Sequence, residues 1–86
     1  MKVKTLNGNL NIIGTNLRKY RKKQKISQPE LCKKLDLLGV TMYICDIYEI
    51  EYGKKNVKDF EALAFCKVLN ISLNDLYSDT DHYYEA

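Results

Sequence analysis

Histidine, proline and glycine are scarce in this chain: one His, one Pro and four Gly in 86 residues. The lone His82 falls in an acidic segment expected to be mobile, so no Ser/His/Asp or Cys/His arrangement is available for nucleophilic catalysis. The glycines are scattered and make no phosphate-cradling loop. Cys32, Cys45 and Cys66 lie far apart without paired spacing. They read as free thiols of a reducing compartment, neither a disulfide framework nor a zinc site. Asp75, Asp79 and Asp81 miss the spacing of a calcium loop. No apolar run approaches the roughly 18–20 residues of a membrane span, and no signal-peptide segment follows the first lysines. The expectation is a chain with no catalytic residues, metal or cofactor, no membrane contact and no small-molecule ligand.

What is present is organised by charge and by helical spacing. The total of 14 basic and 11 acidic residues, net +3, says little. Its distribution says more. Arg18, Lys19, Arg21, Lys22, Lys23 and Lys25 stand within eight residues, a block that favours a polyanion such as nucleic acid, or an anionic membrane surface. Apolar residues make up 45% of the chain, and their strongest repeats are three and four residues apart. This predicts one compact all-α domain of five helices.

In chain order, residues 1–11 are polar and rich in Asn and Gly, and read as a flexible N-terminal arm. A first helix over about 13–24 carries Ile13 and Leu17 on one side and cations on the others. Ser27 caps a second helix over 28–36, with Pro29 and Glu30 in its first turn and Leu31 and Leu35 on its apolar face. The apolar stretch 37–43 is expected to pack. A third helix covers 44–51, with Ile47 and Ile50 inward and Gly53 as its stop. Residues 52–57 form a basic loop. A fourth helix, about 58–69, shows a broad apolar face that includes Phe60 and Leu63. Ser72 and Asp75 form a capping box for a last short helix ending near Tyr77. Residues 78–86 are an acidic, aromatic tail. The second and third helices make a helix-turn-helix candidate within 12–77.

Asn11 to Arg21 and Ile26 to Leu31 resemble the opening of the lambda-repressor-like, Cro/CI-type (XRE) helix-turn-helix family. Ile47-Tyr48-Glu49-Ile50-Glu51-Tyr52-Gly53 resembles the run that closes its recognition helix. Val57 to Leu63 and Leu69 to Leu76 resemble its fourth and fifth helices. Each motif is weak alone; five in order across residues 12–77 are specific. The long Asp36–Met42 link departs from the family's shortest members.

The resemblance implies a sequence-specific double-stranded DNA-binding transcriptional regulator, a repressor, in a bacterial, phage or plasmid setting and a cytoplasmic location. It implies an ion pair between Arg21 and Glu51. It assigns phosphate contacts to Gln28, Lys54, Lys55 and Asn56, with Asn16, Arg18 and Lys19 reaching the opposite side of the same track. Base-reading candidates are Tyr43, Ile44, Cys45, Tyr48 and Glu49. These residues are apolar, aromatic or acidic where the family usually shows Ser, Thr, Gln, Arg, Lys or Asn. An alternative therefore stands beside the first: a protein-interaction module of the same fold, antitoxin-like or antirepressor-like, with weak or no DNA binding. Family members commonly bind as two-fold dimers; Leu73, Tyr77, Tyr83 and Tyr84 are the candidate homodimer contact.

Overall fold

Four of the helix boundaries trace to short polar signals at their ends. The computed structural model describes residues 4–85; residues 1–3 of the expected arm and residue 86 of the tail lie outside the described residues. The elements are α1 (Gly14–Lys23), α2 (Gln28–Asp36), α3 (Ile44–Glu51), α4 (Asp59–Leu69) and α5 (Leu73–Leu76), then a 3₁₀ turn, Asp81–Tyr84. This is an all-α, lambda-repressor-like helix-turn-helix fold.

Two complete capping boxes start α2 and α5. Ser27 Oγ accepts from Glu30 N while the Glu30 carboxylate accepts from Ser27 N; Ser72 and Asp75 repeat the exchange. At α3 and α4 only the return bond is made. Tyr43 N donates to Asp46 and Lys58 N to Glu61. Four helices end in one kind of left-handed turn. After α3, Gly53 sits at φ +74°, with Gly53 N donating to Ile50 O and Lys54 N to Glu49 O. That is a Schellman motif, and glycine enters the left-handed region at no steric cost. Lys25, Gly39 and Asn70 take the same conformation after α1, α2 and α4.

The core is one cluster: Ile13, Leu17, Leu31, Leu35, Met42, Ile47, Ile50, Phe65, Leu69 and Leu76, with small residues of α4 between them. Phe65 is fully enclosed. α1 and α3 approach closely at Gly14. A Cβ on Gly14 would overlap the Ile50 carbonyl oxygen, so glycine is what lets α1 lie on the end of α3.

Three expectations are corrected. The stretch 37–43 packs only through Val40 and Met42, because the turn that ends α2 throws Leu37 outward, 88% exposed, together with Leu38. On α4, Phe60 and Leu63 face solvent at 55% and 45%; Ala62, Phe65, Cys66 and Leu69 supply the buried face instead. The described part of the arm is folded back. Leu10 N donates to Gly53 O, and the Asn7 amide donates to the carbonyls of Tyr83 and Glu85. The tail is held by the same bonds.

Candidate nucleic-acid interface

The third helix must be held rigidly by one face and left bare on the other if it is to meet a partner. Its inner face is fixed by Ile47 and Ile50, both fully buried. Its last residue, Glu51, is 4% exposed and is gripped by Arg21 from α1. Arg21 Nε donates to Glu51 Oε2 at 2.6 Å and Nη2 to Oε1 at 3.0 Å. The remaining Arg21 nitrogen donates to Ile26 O, at the turn into α2. One guanidinium thus ties α1, the start of α2 and the end of α3 together. The bond to Glu51 raises the Arg21 pKa further above its ordinary value, against the opposing effect of burial. A bidentate buried pair of this kind fixes orientation more than it adds net stability.

Asn11 is a positioning residue that spacing alone did not single out. Its carbonyl oxygen accepts from Ile13 N and Gly14 N, capping α1. Its amide donates to Ile50 O and to Lys55 O. It therefore joins the start of α1, the end of α3 and the basic loop. The readable signal was an asparagine just ahead of a helix, the residue type that caps N-termini.

The outer face of α3 carries Ile44, Cys45, Tyr48 and Glu49, all exposed, with Tyr43 just before the helix. Tyr48 packs on Tyr52, with ring centroids 4.8 Å apart. Asp46 is not free: it caps Tyr43 N and lies 3.4 Å from Lys55 Nζ. Cationic groups gather around the C-terminal end of the helix. Arg18 lies over the Tyr52 ring, 5.8 Å from its centroid, and a 360 Å³ cleft lined by Arg18, Lys19, Lys22, Tyr52 and Gly53 opens there. The loop after Gly53 brings Lys55 to the same end, and its Nζ reaches back along the helix to Asp46. Lys54 and Asn56 are exposed beside it.

The other candidates fall as follows. Gln28 is half-buried at the first position of α2, and its amide donates to Glu51 Oε1 at 3.3 Å. Asn16 is corrected. It is 8% exposed, and its amide donates to the carbonyls of Leu76 and Ser78, so it staples the chain after α5 onto α1 instead of facing an anion. Leu73 and Tyr77 are half-exposed and share a groove with Phe60 and Leu63. Tyr83 is a second correction: half-buried, it pairs its hydroxyl with Thr15 and lines the α1 cleft, away from that groove. Tyr84 is exposed. Among the described residues no three metal-ligating side chains gather, and no helix is long and apolar enough to cross a membrane.

No family model and no curated protein matches the chain. Among solved structures it is similar to the restriction-modification controller protein C.AhdI from Aeromonas hydrophila. The two are 24% identical, with a TM-score of 0.66, over 78% of this chain and 94% of that one. At that identity the likeness is one of fold.

Proposed function

We propose that this chain is a sequence-specific, double-stranded DNA-binding transcriptional regulator, a repressor that lays α3 in the major groove. The observation that carries this reading is the bare outer face of α3 with Arg18 and the Lys54–Lys55 loop beside its C-terminal end and the Lys55 ammonium reaching back along the helix to Asp46. In this fold class the recognition helix enters the groove while flanking groups hold the backbone. Arg18, Lys19, Lys54 and Asn56 serve as phosphate contacts, together with Lys55 and the Gln28 backbone N–H at the start of α2. The fold shared with a controller protein supports a regulatory role. A homodimer closing through Phe60, Leu63, Leu73 and Tyr77 presents two α3 helices to two half-sites, about 34–36 Å apart.

Selection from random duplexes tests the reading. The expected product is a two-fold-symmetric consensus that binds more tightly than unrelated duplex; enrichment of no sequence counts against it.

A second reading is favoured by the composition of the same face. Tyr43, Ile44 and Tyr48 are exposed there, and α3 carries no Arg, Lys, Asn or Gln. Under this reading α3 meets a protein, as in an antitoxin or antirepressor. It requires that duplex binding be absent, or insensitive to salt, while Ile44→Ala and Tyr48→Ala disrupt a protein complex.

A further inference from the structure

The side chains that α3 offers set which bases it can recognise. Guanine is read in the major groove by Arg or Lys at O6 and N7, and adenine by Asn or Gln at N6 and N7. None of these four residue types occurs between Ile44 and Glu51. The helix carries two acidic residues besides the buried Glu51. Asp46 is occupied by Tyr43 N and Lys55. Glu49 is exposed, and its carboxylate holds no hydrogen bond or ion pair among the described residues. Ile44, at the N-terminal end that leads into a groove, is an exposed branched aliphatic, 49% accessible. Four residues on, Tyr48 lies on the same strip and is braced by Tyr52.

We infer that α3 reads pyrimidines: Ile44 recognises thymine through its C5 methyl group, and Glu49 accepts from cytosine N4. This rests on the DNA reading above and names its specificity. Apolar contact with the thymine methyl needs no hydrogen-bonding side chain, and a free carboxylate is the acceptor that cytosine N4 requires. Guanine and adenine in the half-site core then receive no side-chain contact from α3.

The test uses the full chain and the duplex recovered by selection. Uracil, which lacks the C5 methyl, replaces each core thymine in turn, and 7-deazaguanine, which lacks N7, replaces each core guanine. At the thymine under Ile44, uracil is expected to weaken binding about fourfold, the worth of one buried methyl. Ile44→Ala is expected to weaken binding to the thymine duplex and to abolish the difference between thymine and uracil. Core 7-deazaguanine is expected to leave affinity within about twofold, since no cation on α3 reaches that edge. The inference is overturned if uracil costs nothing at every core thymine, if the uracil effect persists in Ile44→Ala, or if 7-deazaguanine costs about tenfold. Those outcomes leave the DNA reading intact. Recovery of no duplex at all removes that reading and this one together.

Discussion

Arg21 and Glu51 meet through two parallel hydrogen bonds, although 30 residues separate them in the chain. Both are almost wholly buried, so removing one leaves the other as an unpaired charge in the core. Arg21→Ala is expected to cost about 3–5 kcal/mol in urea unfolding. The double change Arg21→Met with Glu51→Leu is expected to recover most of that loss, because a well-packed apolar pair avoids the desolvation cost. A double variant destabilised by the sum of the losses of the two single variants would show that the pair is not coupled.

Gly14 marks the other contact between α1 and α3. Gly14→Ala pushes a methyl group into the Ile50 carbonyl, which is backbone and cannot rotate away. A loss of about 3 kcal/mol or more is expected, as for overpacking against a rigid neighbour. A melting temperature unchanged from the wild type would mean that the two helices do not approach as closely as described.

The capping box of α2 supplies a pH-dependent prediction. The backbone N–H of Ser27, then its hydroxyl, hold the Glu30 carboxyl below its ordinary pKa of 4.5. A depressed folded-state pKa means that the stabilising contribution is complete above 4.5 and is lost as pH falls through the lower folded value. The stability difference between wild type and Glu30→Gln should therefore be constant near neutrality and shrink in acid. Ser27→Ala should cost about 1 kcal/mol at neutral pH. Thermal melts across an acid series measure both.

Phe60 and Leu63 bring a prediction about assembly. Neither contributes to the core, so Phe60→Glu should leave the melting temperature of the isolated domain nearly unchanged. Sedimentation equilibrium should show the wild type as a dimer and the variant as a monomer. A wild type that stays monomeric at every accessible concentration would remove the proposed interface.

Much of this fold was legible in the sequence because its signals are local. The helices at 28–36 and 44–51 were bounded by Ser27, by the Leu31–Leu35 and Ile47–Ile50 repeats and by Gly53, each acting within a few residues. What was not legible depends on distant partners. Asn7, Asn11 and Asn16 look like loop or surface polar residues until their amides are seen on carbonyls 39 to 78 positions away. Phe60 and Leu63 fit the helical period of α4 as well as its buried residues do. Only the placement of the neighbouring helices shows that the inner face is filled by Phe65 and Leu69. In the candidate site, the apolar and acidic character of α3 could be read directly. The neutralisation of Asp46 by Lys55 and the bracing of Tyr48 by Tyr52 required the three-dimensional structure.

The most direct test of the account is the salt dependence of binding to the selected duplex. A dimer in which Arg18, Lys19 and Lys54 of each protomer neutralise phosphates, with the charge of Lys55 offset by Asp46, should show a slope of log K against log salt concentration of about −5. Affinity should then fall about a thousandfold from roughly 50 mM to 200 mM salt. An affinity that is the same at both concentrations would contradict the placing of α3 beside phosphate-binding cations.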